Sequence, residues 1–357
     1  MHIGTVSGSL RYCMQGQECG EPLIKTFDDV MDRLEELKAK KILLQLPDGL
    51  KPNVFQYFNR LSEKYSVVVS SEPFYGACDI STPDVYADVD CIVQLGHSEI
   101  PNINYPKPMI FMEYRVEKEI NIDESVFQPL KALGYRKIGL LCSIQYIDQM
   151  QKVGAFLGSI GFEVIVGKQD SRMKYPGQVL GCNFSSAHSI SAEVDCYVVV
   201  STGMFHAIGA QLASDKDVFV LDMHERRLNE IRPETDKFLR RRYAKLFKAR
   251  DARKICVVAD TKIGQYRIRL AERIVEQAKA QGLEPVLLTA NDVRPSDYEN
   301  MRCDAVVFTG CPRVSLDEGD KFPMPILTPP EFQQIFGIKE NKRYVMDEIV
   351  AVDEISS

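Results

Sequence analysis

Three times along this chain a short apolar run opens with the same pair of residues: "KILLQL" from Lys41, "KIGLLC" from Lys137 and "KICVVA" from Lys254. A second set follows in the same order, "VDCIVQLG" with Asp90, "VDCYVVVSTG" with Asp195 and "CDAVVFTG" with Asp304. A third set closes each unit: "PMIFME", "DVFVLD" and "MPILTP". An internal repeat decides the fold before any other feature does, since each copy is one structural unit. The runs are short, continuous and rich in Val, Ile and Leu, as in strands covered on both faces of a parallel sheet.

Amphipathic segments lie between the runs. In "TFDDVMDRLEELKAKK", Thr26 can cap a helix, acidic residues fill its first turn and lysines end it. Phe27, Val30, Met31, Leu34 and Leu37 fall on one face. In "GQYRIRLAERIVEQAKAQG", Ile268, Ala271, Ile274, Val275 and Ala278 share a face and Gly282 is the stop. Alternating strands and helices imply βαβ units. The expected fold class is α/β: three similar domains, each a small parallel sheet flanked by helices, in pseudo-threefold arrangement. The 357 residues suffice for two or three domains of ~100–200 residues. The divisions are residues 1–126, 127–230 and 231–357, with junctions near Ser125 to Leu130 and Arg226 to Thr235. The second junction leads into "DKFLRRRYAKLFKARDARK", whose charge run reads as a solvated face ahead of a contact with RNA or an acidic partner.

A formal net charge of −6 argues against a general nucleic-acid binder. No apolar run approaches the ~20 residues of a membrane span. The N-terminal segment lacks the apolar core of a signal peptide, so a cytoplasmic location is expected. The chain has ten cysteines and no CxxC pair, which removes zinc ribbons, zinc fingers and thioredoxin-type motifs. In a reducing compartment these cysteines are expected to be buried, catalytic or metal-binding rather than paired.

Ligands of open parallel sheets bind beyond the carboxyl ends of the strands, and that rule sorts the cysteines. Cys91, Cys142, Cys196 and Cys256 lie within apolar runs and read as small core residues. Cys303 leads into a strand and reads as structural. Cys13 and Cys19 sit in a polar leader with a weak claim to a metal. Cys78 in "YGACD", Cys182 in "LGCNF" and Cys311 in "TGCPR" each follow a strand, one per repeat, and each follows a small residue, Ala77, Gly181 or Gly310. They are either three unrelated loop cysteines or three thiolates converging on a metal. Soft thiolates select zinc, Cu(I) or iron–sulfur clusters. A 4Fe–4S cluster held by three cysteines leaves one iron without a protein ligand.

"YGAC" at Tyr75–Cys78, "LGC" at Leu180–Cys182 and "CPRVSLD" at Cys311–Asp317 resemble the diphthamide-synthesis radical enzymes. "LQLPDGL" at Leu44–Leu50, "LGHS" at Leu95–Ser98 and, loosely, "DTKIGQ" at Asp260–Gln265 match the same family. The resemblance runs from about Lys41 to Pro330 and leaves the leader and the acidic tail "MDEIVAVDEISS" uncovered. It implies one 4Fe–4S cluster per chain, held by Cys78, Cys182 and Cys311. It also implies S-adenosylmethionine as donor substrate, translation elongation factor 2 as protein substrate, an external electron donor and, as in the archaeal form, a homodimer. The implied reaction transfers a 3-amino-3-carboxypropyl radical to a histidine of that factor. Cys311 follows the next strand along from its counterparts, so the site is only pseudo-symmetric.

Further candidates lie at strand ends. Asp48 and Gly49 form either a nucleoside or amino-acid contact or an ordinary turn with Asp48 as a helix cap. Ser201, Thr202 and Gly203 in "STGMFH" offer hydroxyls and an open backbone to the donor. Lys262 and Gln265 are placed similarly, and Lys262 can pair with a carboxylate. Arg313 can grip a carboxylate bidentately or bridge to Asp317. His97 reads as a satisfied structural histidine ahead of a ligand or proton shuttle. Two other functions stay in play: an iron–sulfur hydro-lyase resembling quinolinate synthase, with a Lewis-acid iron, and a non-catalytic electron-relay or scaffold subunit.

Overall fold

The structure, a computed structural model, describes residues 24–72, 74–80, 88–117 and 122–353. Cys13 and Cys19 lie outside the described residues, as does the very end of the acidic tail.

Three separate sheets form. The first holds β1 (Lys41–Gln45), β2 (Ser66–Val69), β3 (Cys91–Leu95) and β4 (Met109–Met112), in the order β2-β1-β3-β4. The second holds β5 (Lys137–Cys142), β6 (Glu163–Ile165), β7 (Cys196–Ser201), β8 (Asp217–Asp222) and β9 (Arg227–Glu230), in the order β6-β5-β7-β8-β9. The third holds β10 (Lys254–Asp260), β11 (Glu284–Ala290), β12 (Ala305–Phe308) and β13 (Ile326–Leu327), in the order β11-β10-β12-β13. Every pairing is parallel except that of β9 with β8. The fold is therefore α/β with three sheets built on one strand order.

β9 was not foreseen. Its sequence, RLNE, is polar, and the strand lies largely exposed at a sheet edge, where no apolar pattern is needed to hold it. The inner strands β3 and β7 are buried at every position, whereas the edge strands β2 and β11 stay partly exposed, so two-sided burial holds for the sheet centres alone.

The expected helices form. Thr26 caps the helix Phe27–Glu36 in a capping box with Asp29, and Val30 and Leu34 enter the core against β1 and β3. The helix Ile268–Ala280 buries Ala271, Ile274 and Ala278, and Gly282 follows it at φ +72°, a conformation that favours glycine. The basic run lies in the helix Arg232–Lys248. Arg240 and Arg241 are exposed, as a solvated face requires, but Arg242 is buried and bonds both carboxylate oxygens of Glu331. Its remaining N–H groups reach the carbonyls of Ser315 and Ile326 at 2.9 and 2.7 Å. A buried charge persists only when paired and hydrogen-bonded in this way.

One expectation about the cysteines needs correction. The sequence makes Cys256 a small core residue and Cys303 a structural one leading into a strand, with no pairing between them; the structure joins them in a disulfide with Cα atoms 5.9 Å apart. β10 and β12 are neighbours, so the two side chains meet within one core cluster at a bridgeable distance. Cys91, Cys142 and Cys196 are unpaired and fully buried.

The repeated aspartates have a physical role. Asp90 Oδ2 accepts the N–H groups of Lys40 and Lys41 at 2.8 and 2.9 Å. Asp195 Oδ2 does the same for Arg136 and Lys137, both at 2.8 Å, and Asp304 Oδ2 for Arg253 and Lys254 at 2.9 and 2.8 Å. In each repeat one carboxylate ties the residue before the third strand to the start of the first. The backbone N–H bonds, foremost those from Lys41, Lys137 and Lys254, hold all three carboxyls below their ordinary value of 3.8. Because the folded-state pKa is the lower one, the stability these groups contribute is present above about pH 4 and is lost as pH falls through the folded value. The triple variant Asp90→Asn, Asp195→Asn, Asp304→Asn is expected to have a lower urea midpoint than the parent at pH 7. The two midpoints should converge below about pH 4; a gap that stays constant from pH 7 into that range would count against the carboxylate's role.

Candidate functional site: three thiols around one cavity

Each of the three loop cysteines sits in a tight local structure. Cys78 lies in a turn closed by the Asp79 N–H bond to the Gly76 carbonyl at 3.0 Å. Cys182 lies in a reciprocal turn in which Leu180 and Asn183 exchange N–H···O bonds of 3.0 and 3.3 Å. Cys311 precedes the short helix Pro312–Leu316, with Pro312 at a position where no N–H is needed. All three thiols are buried, and all three line the same cavity of about 220 Å³. Its other walls include Tyr75, His97, Gln178, Phe205, His206 and Arg313.

Backbone approaches close enough to require glycine bring the loops together. A Cβ on Gly264 would lie 2.4 Å from Cys78 Cα, and one on Gly181 would lie 2.3 Å from the Phe205 ring. Gln265, beside Gly264, connects two of the cysteine loops: its Nε2 donates to Cys78 Sγ at 3.6 Å, and its Oε1 accepts the Cys311 N–H at 3.0 Å.

Burial pushes the Cys78 thiol up to about 12, and the neighbouring Cys182 adds to that shift. Cys182 and Cys311 are raised too, first by burial; for Cys311 the charges of the other two cysteines come next. Buried thiols whose ionisation is opposed first by burial, and for Cys78 and Cys311 also by neighbouring cysteines, form a site that ionises readily only when a cation takes the place of the protons. Among the described residues, no three His, Cys, Asp or Glu side chains stand close enough to hold a single ion. Three soft donors facing one cavity fit a group with the softness of an iron–sulfur cluster.

Buried charge surrounds the thiols. Lys262 Nζ meets Asp79 Oδ1 at 2.5 Å behind Cys78. Arg267 donates to the carbonyls of Thr309 and Gly310, just before Cys311, at 2.5 and 3.0 Å, and forms a fork with Asp347 at 3.0 and 2.7 Å. Burial raises Asp260 to about 7. Asp347 belongs to the acidic tail, which the sequence left without a role. The tail crosses the Cys182 loop: Ile349 N–H donates to the Cys182 carbonyl at 2.7 Å, and Phe184 N–H donates to the Glu348 carboxylate at 2.8 Å.

The remaining expected residues divide. Arg313 lines the cavity and makes the bridge to Asp317 that is one of the two readings open to it. It bonds Asp317 at 2.8 Å, and its guanidinium lies 4.6 Å from the centre of the Phe205 ring and 5.2 Å from that of Tyr75. Asp48 faces solvent, paired with Lys51 at 2.7 Å, and Gly49 has open space around it; neither reaches the cavity. Ser201 is buried and accepts the Gly203 N–H at 3.2 Å, while Thr202 and Gly203 are exposed. From that same motif it is Phe205 and His206 that reach the cavity. His97 is not a satisfied structural histidine: its buried Nδ1 has no hydrogen-bond partner. Burial lowers both His97 and His206 to about 4, so both are neutral at pH 7. Arg172, Arg267 and Asp347 were missed, because lone charged residues in a sequence carry no sign that they are buried.

The comparisons agree with this geometry. The family model for diphthamide synthesis proteins matches residues 46–345. The 2-(3-amino-3-carboxypropyl)histidine synthase of Pyrococcus horikoshii is 36% identical over 330 residues, covering 90% of this chain and 92% of that protein. Subunit 1 of the corresponding synthase of Schizosaccharomyces pombe is 27% identical, covering 87% of this chain and 73% of that protein. The crystal structure of Dph2 from Pyrococcus horikoshii with a 4Fe–4S cluster superposes with a TM-score of 0.81 at 32% identity, covering 92% of this chain and 95% of that one. The strand order, the cavity where three loops meet and these matches along most of its length lead to one conclusion: the chain belongs to the diphthamide synthesis family.

Proposed function

We propose that this chain is a 2-(3-amino-3-carboxypropyl)histidine synthase. It transfers the 3-amino-3-carboxypropyl group of S-adenosylmethionine to one histidine of translation elongation factor 2, by a radical route, in the first step of diphthamide synthesis. The observation that carries this reading is the convergence of Cys78, Cys182 and Cys311, one from each sheet's carboxyl end, on one cavity. These three residues would hold a 4Fe–4S cluster, the group present in the Dph2 structure that superposes on this chain. When bound, the cluster supplies the electron, replenished by an external donor, that breaks the bond between the sulfur and the γ-carbon of S-adenosylmethionine.

The chain's own residues do the positioning. Arg313, backed by the Tyr75 and Phe205 rings, presents a fixed cation at the cavity wall, suited to the donor's carboxylate. His97 and His206 add neutral imidazoles, which offer hydrogen bonds without adding charge beside the thiolates. The apolar walls, Ile100, Ile144, Val179 and Leu180 among them, keep water from a reactive carbon centre. The Pyrococcus relative is named without a subunit number and the Schizosaccharomyces relative as subunit 1; the greater similarity to the former supports a homodimer. Among the described residues no helix is long and apolar enough to cross a membrane.

Replacing Cys78, Cys182 or Cys311 by Ala is expected to strip iron from the anaerobically purified protein and abolish its visible absorption. Ala at Cys91, Cys142 or Cys196 should leave the iron in place and cost only packing, ~1–2 kcal/mol. Full iron retention in the Cys182 variant would sink the ligand assignment.

Bond choice is set by how the donor is placed on the open iron, and a displacement of ~1 Å can redirect or abolish reaction. With dithionite as reductant, the purified chain alone should turn S-adenosylmethionine into 5′-methylthioadenosine and add 3-amino-3-carboxypropyl mass to elongation factor 2. Chromatography of the nucleoside and mass spectrometry of the factor read both products. 5′-Deoxyadenosine as the main product would refute the γ-carbon mechanism. Turnover without a reductant would favour the Lewis-acid hydro-lyase, and an inert chain would favour a partner subunit.

A further inference from the structure

Among the described residues Arg172 is the largest fully buried side chain, with no exposed surface. Its Nη2 donates to the Gly264 carbonyl at 2.6 Å; its Nε and Nη1 meet no oxygen acceptor, and the guanidinium's other hydrogen-bonding neighbour is the Cys182 thiol. The other buried arginines among the described residues, Arg242 and Arg267, each fork onto a carboxylate. The acid nearest in sequence, Asp170, is engaged elsewhere: its Oδ1 takes the Arg172 backbone N–H at 2.9 Å and its Oδ2 the Asn183 side-chain amide at 2.7 Å. A buried guanidinium with no carboxylate partner costs several kcal/mol unless another anion faces it.

The anions at hand are the thiolates. Gly264, which Arg172 holds, is packed against Cys78, and the adjoining Gln265 bonds both the Cys78 thiol and the Cys311 backbone. Burial raises the Cys182 thiol, and Arg172 is the foremost influence pulling it back; the same charge also pulls down Cys78. Arg172 comes from the second repeat and reaches the third, beside cysteines of the first and second.

We propose that Arg172 is a positioning residue for the iron–sulfur cluster, its charge and its N–H groups that meet no oxygen acceptor stabilising the added negative charge of the reduced form. This rests on the assignment of Cys78, Cys182 and Cys311 as cluster ligands. Hydrogen bonds to sulfur and nearby charge are the levers by which a protein sets a cluster's potential. A buried arginine with no carboxylate partner, beside two of three thiolates, acts on both.

The test is an anaerobic redox titration of the intact protein, followed by electron paramagnetic resonance, with iron and sulfide counted on the same samples. Arg172→Gln keeps a donor for Gly264 but loses the charge. Arg172→Lys keeps the charge but loses the fork. In Arg172→Gln, one-electron reduction should become at least tenfold less favourable, a midpoint about 59 mV more negative, with four irons retained. Arg172→Lys should fall between Arg172→Gln and the parent, about threefold below the parent, and decides the matter alone if Arg172→Gln does not fold. A folded, four-iron variant with the parent's midpoint overturns the proposal, as does equal loss of iron from both folded variants, which would make the role one of shape. Absence of a cluster from the parent protein would instead refute the ligand assignment itself.

Discussion

Each sheet is fixed at its amino-terminal edge by one carboxylate, which takes two amide protons from the start of the first strand while standing just before the third. A parallel pair has no hairpin to set its register, and a slip of one residue would turn every side chain to the opposite face. Asp90, Asp195 and Asp304 do for these sheets what a tight turn does for an antiparallel pair. The opposite edges depend on that register. With β1 and β3 in phase, His97 and Ser98 emerge beyond the sheet at the level of the Cys78 loop; in the second sheet Phe205 and His206 emerge beside the Cys182 loop. The molecule thus separates its tasks: the amino ends carry the pairing, and the carboxyl ends carry the cavity.

That polarity explains which features could be read in the sequence. The strands announced themselves by apolar runs, and the three aspartates by their fixed place before the second run. The three loop cysteines stood out because each followed a small residue at a strand end. What escaped was whatever depends on a partner distant in sequence. Cys256 and Cys303 looked like two core residues because strand adjacency, which brings them together, is a property of the sheet order. β9 escaped because a polar edge strand needs no pattern. Asp48 and Gly49 fitted the strand-end rule yet face solvent, since the rule names an edge of the sheet and not the part of that edge where the other two repeats meet it. In "STGMFH" the turn exposes Thr202 and Gly203 while Ser201 stays buried, and the chain reaches the cavity with Phe205 and His206, which the strand-end rule does not single out.

The departure from threefold symmetry follows from the same geometry. Cys78 and Cys182 follow the second strands of their sheets, whereas Cys311 follows the third strand of its own. In the third sheet the turn after β10 is the one that enters the centre, with Gln265 bonding the Cys78 thiol and Arg267 gripping the carbonyls before Cys311. One repeat therefore supplies support from one loop and a thiol from another. The tail completes the arrangement, since Asp347 closes the charge of Arg267 and Ile349 holds the Cys182 carbonyl. A chain that ended before Asp347 would leave Arg267 buried and unpaired beside two thiols, a state that costs several kcal/mol. The tail thus braces the loops around the site, although it lies beyond residue 345, where the family match ends. The cysteines supply the sulfur; Gln265 and Arg267 from the third repeat and Asp347 from the tail help to hold their loops.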